Sequence, residues 1–574
     1  MNARKMCYSL MTVLVLLSVL LSACTQTPTQ APSEPATQAP QDPPAEGEAA
    51  APTQAPEPTA IPEPTQVEML RIAIAKDEAS ANPYTYVTGY PGWYIMMWQY
   101  DTLYQMDEQG VPKPWLATEV TTEDGGLNYA ITLRDDVTWH DGTAFTAKDV
   151  KFAFDYYTEK KVGRFSRDLR IVESVEVVDD THLAVKMTGP NPSFAFQVLI
   201  DVPILPEHIW KDVADPKVQE FETNVGTGPY KLVEHKADQY YRFVSNDAYF
   251  AGKPLVKEIQ LVQFSDDAGM LAALQAKEVD MVIRTVPPEQ VGLLSAIEGI
   301  KIASGPEFST TLFTFDTQKA PFDNEKVRQA IDLAINKQDL VDTVYLGTAT
   351  AGNPGFTHPQ HAMVNTDLAV DYDPEAAKAL LDEAGITDAD GDGIREFNGQ
   401  PMKFEVLTPA GNSLRLRMAE LIKEMLTEVG IATDVAAVES TTWENKVWPE
   451  FDVTKGRDYQ MAMWGWAASS GTDPAQLPQL VHCDTAIGSL NVTGYCDSKV
   501  DEISNEILST TDPEKLTQLV KDLQAAIAEG VPFITLVYPD GNYAYWADVY
   551  DNWVFVTGQG IISRLSFLPK TAHP

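Results

Sequence analysis

From about residue 67 onward the chain predicts an α/β fold, and two patterns carry that prediction. The first is a βαβ unit. Residues 402–407 read as a strand and residues 431–437 as a second strand. Between them Leu414, Met418, Leu421, Ile422, Met425, Leu426 and Val429 fall at helical spacings of three and four. Gly430 ends that helix, since glycine takes the positive φ of a C′ position without strain. Parallel strands need a crossover of this kind. The second pattern is repeated helix punctuation. Asp373-Pro374 opens a helix that Gly385 stops, with Ala377, Leu380, Leu381 and Ala384 on its buried face. Asp323 opens another, striped by Val327, Ala330, Ile331, Ala334 and Ile335. Asp512-Pro513 opens a third, which Gly530 stops before a strand at 533–538. The folded part, about 500 residues, is too long for one core, so two or three lobes are expected.

An earlier stretch is richer in strands. Tyr129, Ile131 and Leu133 alternate with polar neighbours, which buries one face. Asp141-Gly142 makes a turn, and Thr146 with Asp149 three residues on forms a capping box with Asp in place of Glu. Val150, Ala153, Phe154 and Tyr157 give that helix its apolar face.

The N-terminus has a different character. Arg4 and Lys5 precede an apolar run over 10–21, and Leu21-Ser22-Ala23-Cys24 follows. Charge, short apolar run and small residues before a cleavage point make residues 1–23 a signal peptide. The run is too short to span a bilayer as a helix of ~20 residues. The residues before Cys24 resemble the lipobox of bacterial lipoproteins, in which the cysteine is lipidated. Residues 25–66 are almost entirely Pro, Thr, Gln, Ala, Ser, Glu, Asp and Gly, with no aromatic residue. Such a composition cannot bury enough apolar surface to fold, and its prolines make residues 24–66 a semi-stiff leash of up to ~130 Å. An exported protein on the outer face of a cell membrane, or in a periplasm, is expected.

The formal net charge of −40 is spread along the chain, which argues against nucleic-acid binding and suits solubility. Of four cysteines, Cys7 leaves with the signal and Cys24 carries the lipid. Cys483 and Cys496 remain, in a compartment that permits disulfides, and a bond between them is expected. A metal site shared with His482 is the rival reading.

The stretch 117–157, ATEVTTEDGGLNYAITLRDDVTWHDGTAFTAKDVKFAFDYY, resembles the signature of extracellular solute-binding proteins of the peptide/nickel class. Other matches follow in order: GTGPYKL from Gly226, ALQAKEVDMVI from Ala273, VRQAIDLAINKQDLVDTVYLG from Val327, DPEAAKALLDEAGI from Asp373, and MWGW ending at Trp466. The resemblance runs from about residue 70 to about 553. It implies two α/β lobes of the periplasmic-binding-protein type. The first lobe would take 67–305, with an inserted subdomain at about 105–206, and the chain would return to it at 531–574. The second lobe would take 306–530. Two hinge crossings are expected, near 308–314 and 533–540. The lobes would shut on a ligand and hand it, as a monomer, to an ABC permease whose separate subunits hydrolyse ATP. This chain has no G-x-x-x-x-G-K-[ST] loop of its own.

In peptide-binding relatives the strand ending in Gly-Trp leads to an acid that pairs with the ligand's ammonium group. Here Gly465-Trp466 is followed by Ser469 at that place, with Asp473 further on. A hydroxyl is a poor partner for a buried ammonium, so a peptide-like ligand and an oligosaccharide both stay open. Trp93, Tyr94, Trp98, Trp443, Trp464 and Trp466 are expected to border the cleft, Trp466 and Trp443 foremost, with Tyr538 and Tyr543 as further candidates. Away from the cleft, Asp388, Asp390, Asp392 and Glu396 occupy positions one, three, five and nine of an EF-hand-like loop with Gly393 at six. Gly399 replaces the acid at twelve. A structural calcium ion and a solvated Asp/Gly turn are the two readings; no other cofactor is expected. A sensory receptor without a transporter, or an extracellular hydrolase, are the rival functions. Against the hydrolase, the chain has no G-x-S-x-G and no H-E-x-x-H. His140, in the Trp-His-Asp-Gly turn, reads as structural.

Overall fold

A computed structural model describes residues 66–75, 77, 82–84, 92–161, 163–213, 215–217, 224–467 and 471–574. The signal peptide, Cys24 and the leash up to residue 65 lie outside these, as does Ser469. Among the described residues no helix is long and apolar enough to cross a membrane.

One mixed sheet of twelve strands organises the chain. In its first half, Val67–Ile74 runs parallel to Val256–Gln263 and to Met281–Val282, and Tyr240–Ser245 and Tyr230–Lys236 extend that half antiparallel. In its second half, Lys403–Pro409 runs parallel to Ala432–Val438 and Met461–Trp464, and Thr311–Phe315 pairs antiparallel with the last of these. The predicted βαβ unit is therefore present, with the helix Ser413–Glu428 as its crossover and Gly430 at φ 85°.

The strand Phe533–Trp546 belongs to both halves. Its first part pairs with Thr311–Phe315 and Ala349–Ala351, its second with Ile300–Pro306 and Met281. The sequence reading ends this strand at 538, just before Pro539-Asp540-Gly541-Asn542, a run of turn-favouring residues. The chain instead continues extended to Trp546 and changes partners there. Pro539, which has no N–H to give, falls at the change of partners, and the Asp540 amide donates to Thr348 O at 3.1 Å. The other passage between halves is the segment from Pro306 to Thr311, where Phe308 holds φ 58°.

A separate antiparallel sheet of four strands, Ala117–Thr121, Asn128–Leu133, His182–Met187 and Val172–Val177, packs with the helix Ala147–Lys160 around a core that includes Ile131, Leu133, Val150, Phe154 and Tyr157. The capping box forms as predicted: the Thr146 amide donates to Asp149 Oδ2 at 2.9 Å. Two helix ends differ from the sequence reading by one residue. Asn324, not Asp323, caps Glu325–Ala334 by accepting from the Lys326 amide. At the end of Pro513–Gly530 the left-handed residue is Val531, not Gly530. Gly530 has another role, since a Cβ there would lie 2.0 Å from the Tyr495 hydroxyl oxygen.

The signature motifs interlock. Nδ1 of His140 accepts from the Gly226 amide at 3.2 Å, so Nε2 carries the proton that it donates to Gly228 O at 2.9 Å. Burial pushes His140 down to about 4, in keeping with a neutral structural staple. Both glycines are needed for close approach: a Cβ would meet Gln99 O at 1.8 Å from Gly226 and Trp98 O at 2.4 Å from Gly228.

Candidate functional site

The parallel strands Lys403–Pro409, Ala432–Val438 and Met461–Trp464 all end on the same edge of the second sheet half. In open α/β sheets that carboxyl edge is where ligands bind. What the chain puts there is aromatic. Trp464 closes its strand, and Trp443, in the helix Ser440–Val447 that follows the strand Ala432–Val438, stacks on it with ring centroids 4.5 Å apart. Trp448 and Trp466 meet Trp464 edge-on at 6.2 and 5.6 Å, and each other at 5.6 Å. The Trp443 indole N–H donates to Met463 O at 3.1 Å, which locks the ring.

This wall is tied to the passage between the sheet halves. The Trp466 amide donates to Thr310 Oγ1 at 3.2 Å, and the Thr310 amide donates to Trp466 O at 3.0 Å. Gly465 permits the contact. A Cβ there would lie 2.3 Å from both Thr310 O and Nη2 of Arg415. Arg415, in the first turn of Ser413–Glu428, holds its guanidinium 5.7 Å from the Trp443 ring centre. Burial lowers its pKa.

The passage itself is packed with titratable groups. The Phe308 ring lies 4.9 Å from His358 and 5.3 Å from His361, and His358 meets Tyr538 at 4.7 Å. Nδ1 of His361 accepts from the Met363 amide, so Nε2 donates to Thr472 O at 3.2 Å. Glu307 accepts a short hydrogen bond from the Tyr543 hydroxyl. Burial raises the Glu307 carboxyl, the charge of Asp540 adds to the rise, and Tyr543 opposes it. Burial also raises Asp540.

His358 supplies a pH test. Burial, helped by His361, pushes it down from 6.5 to about 4. An imidazole with a lowered folded pKa takes up its proton more readily in the unfolded chain. Its contribution is intact above about 6.5 and is lost as pH falls towards about 4, by about 3 kcal/mol at the lower end. His358→Phe, which keeps a ring between Phe308 and Tyr538, should lose less stability between pH 7 and 4.5 than the parent. Equal losses in urea unfolding at the two pH values would rule this out.

The sequence candidates fall into distinct places. Trp443, Gly465, Trp464 and Trp466 come together at the edge just described. Asp473 is 3% exposed and caps the short turn Pro474–Gln476, accepting from the Ala475 amide and from Gln476 Nε2, each at 3.1 Å. Burial raises its pKa against the pull of Ser193 and of Gln476. Its carboxylate is thus engaged within the protein. Tyr538 is fully buried, donates to Phe356 O at 2.7 Å and accepts from the Asn353 amide, so it braces the passage from within. Tyr543 is likewise buried. Trp98 is a core residue, edge-on to Phe243 and Phe567, because its helix packs its inner face against the first sheet half. Trp93 and Tyr94, on the same helix, are partly buried, Trp93 against the core around Phe154 and Tyr157 and Tyr94 against the core around Ile72 and Phe243. The residues that sequence reasoning missed are Trp448, Arg415, Phe308, Glu307, His358 and His361. A tryptophan soon after Trp443 was a legible signal; the others carry none in a single sequence.

Elsewhere, Cys483 and Cys496 form a disulfide, which removes the rival metal reading for that pair. Asp388, Asp390, Asp392 and Glu396 converge, with one oxygen from each within 4.8 Å of the others, a donor set that suits a calcium ion. These carboxylates also accept from the loop's own amides, Asp388 from Gly391 and Gly393, Asp390 from Asp392, Asp392 from Ile394, and Glu396 from Ala389. The loop therefore also closes as an Asp/Gly turn.

Comparison with known proteins agrees with this architecture. A family model described as bacterial extracellular solute-binding proteins, family 5 middle, matches residues 111–487. The oligopeptide-binding protein AppA of Bacillus subtilis (strain 168) is 27% identical over 455 residues, covering 78% of this chain and 81% of that protein. The glutathione-binding protein GsiB of Salmonella typhimurium is 28% identical over 463 residues, covering 79% and 86%. The structure of Bacillus subtilis AppA in complex with a nonapeptide superposes with a TM-score of 0.67 at 26% identity, covering 88% of this chain and all of that one.

Proposed function

The chain belongs to family 5 of the bacterial extracellular solute-binding proteins, the non-catalytic binding components of ABC importers of the peptide/nickel class, and on that premise we propose that it captures a peptide-like or oligosaccharide ligand between two hinged lobes, against the tryptophan wall. The observation that carries the reading is the position of that wall. Trp443, Trp448, Trp464 and Trp466 stand at the carboxyl edge of the second sheet half and are bonded through Trp466 to Thr310, in the passage to the first half. A ligand on the wall therefore adjoins a segment whose backbone must move if the halves hinge. Contacts with both lobes favour the closed state in proportion to the difference in affinity. Closure would present the ligand to a membrane permease, with ATP hydrolysed by partner subunits. Lipidated Cys24 and the leash would hold the receptor at the outer face of the membrane.

The wall suits either ligand class. Indole faces stack on sugar rings and on peptide side chains alike. Mass spectrometry of material that co-purifies with the protein decides between them. Trp466→Ala should weaken binding of the recovered ligand by at least about 1 kcal/mol, roughly fivefold in Kd. An unchanged Kd in calorimetry would remove Trp466 from the site. Conversion of the ligand to product by purified protein would overturn the receptor reading.

A further inference from the structure

We propose, resting on the hinged closure above, that the four-stranded sheet carries a clasp: the tip of its first hairpin closes directly on the second sheet half, so that closure has a protein–protein contribution independent of any ligand. Two contacts support it. At the hairpin tip, between Ala117–Thr121 and Asn128–Leu133, Gly126 is buried while Gly125 and Leu127 on either side are exposed. Thr511 covers it: a Cβ at Gly126 would lie 2.7 Å from the Thr511 Cγ2 methyl. Nearby, the buried Ser193 hydroxyl bonds to the buried Asp473. The two contacts share one face. On one side Tyr129 stacks on Phe194, next to Ser193, with ring centroids 4.5 Å apart, and its hydroxyl oxygen lies 3.0 Å from the place of a Gly126 Cβ. On the other, Thr511 leads into the helix Pro513–Gly530 and Asp473 caps the turn Pro474–Gln476. Val520, Leu523, Ala475 and Leu477 of those elements share a core with Leu312 and Trp464 of the second sheet half.

The tip is built to hold its shape. Thr122 Oγ1 accepts from the Gly126 amide at 3.2 Å, and Asp124 accepts from the Leu127 and Asn128 amides at 3.1 and 2.9 Å. The Met187 amide ties down Leu127 O at 2.8 Å. Gly126 itself holds φ 84°, and a side chain there would push Thr511 away, so glycine serves both the turn and the close approach. The clasp is nonetheless weak. Exposed acids stand on both sides of it, Glu123 and Asp124 at the tip and Asp512 and Glu514 beside Thr511. Lys515, the cation nearest in sequence, is paired with Glu506. Like charges flanking a contact oppose it. A weak clasp suits a reversible device. It raises the closed fraction, with which apparent affinity scales, without trapping the solute.

The same geometry supplies the test. Thr511 Cβ lies 3.5 Å from the place of a Gly126 Cβ, within the ~3.5–4.5 Å span of a disulfide. Gly126→Cys combined with Thr511→Cys, in full-length protein dialysed free of small molecules, should therefore cross-link under mild oxidation. Cys483 and Cys496, already bonded to each other, do not compete. The cross-linked protein should be more compact in small-angle scattering than the same protein reduced. Cross-linking only after a mixed peptide or oligosaccharide library is added would overturn the clasp while leaving capture between hinged lobes standing. A cross-link that leaves the scattering unchanged would mean that the halves do not part, and would overturn the clasp and the hinged reading together. Because a cysteine at φ 84° is strained, Thr511→Trp provides a second test away from that position. Its ring should wedge the tip off the second half, enlarge the dialysed protein in scattering and weaken binding of whichever library the parent takes by about threefold or more. Melting curves check that the variant folds. Parent-like scattering and affinity in Thr511→Trp would overturn the clasp.

Discussion

Asp101→Asn is expected to destabilise the protein by about 3–5 kcal/mol, the cost of breaking a buried ion pair from one side. Asp101 and Arg564 are in direct ionic contact, and their side chains are 0% and 1% exposed. The pair joins the C-terminal turn Arg564–Phe567 to the end of the helix Gly92–Gln99, because Nη2 of Arg564 also donates to Tyr100 O at 3.1 Å. The asymmetry between the partners makes the prediction sharp. Without Arg564, the carboxylate keeps three donors: the Trp115 indole at 2.9 Å, the Tyr249 hydroxyl at 2.8 Å and the Thr227 hydroxyl at 2.8 Å. Without the carboxylate, the guanidinium keeps chiefly one backbone carbonyl. Arg564→Met should therefore cost less than Asp101→Asn. Urea unfolding followed by tryptophan fluorescence measures both, and Asp101→Asn within about 1 kcal/mol of the parent would show that the contact does not hold the C-terminus in place.

The second large effect concerns the Cys483–Cys496 disulfide, whose partners are 13 residues apart. Replacing both cysteines by serine should cost about 3 kcal/mol, since closing a loop of about 15 residues removes that much freedom from the unfolded chain. The loop has its own braces: Asn491 donates to His482 O and Tyr495 O, and Thr317 donates to Thr493 O. The native loop should thus keep its shape, and ligand affinity should stay within about twofold while the melting temperature falls. Mild reduction of the parent should reproduce the loss. A reduced protein as stable as the oxidised one would refute the assignment of stability to this bond.

Much of the second sheet half is legible in the sequence. The stripe from Leu414 to Val429, the caps at Asp373 and Asp512 and the stop at Gly430 each depend on residues within a few positions of one another. Trp443 and Trp466 are legible as candidates because they stand at positions resembling family pocket residues, and the structure brings both to the carboxyl edge. The long strand Phe533–Trp546 is not, since its Pro-Asp-Gly-Asn run carries turn chemistry that pairing from Thr348, Ala349 and Ile300–Pro306 overrides. Asp473 and Tyr538 are ligand-contact candidates in the sequence; in the structure Asp473 accepts from Ala475 and Gln476 of its own turn, and Tyr538 donates to Phe356 O.

The sequence by itself determined the α/β class and the order of strands and helices, because those rest on periodicity and capping over a few residues, and it pointed to the family through a series of ordered motifs. Only the tertiary structure decided which side chains meet at the passage. Thr310 reaches Trp466 across 156 positions and Tyr538 reaches Phe356 across 182. Whether a buried charged group such as Arg328 finds its partners, here the Gly530 carbonyl 202 positions away, is set by contacts of that range, which no local pattern encodes.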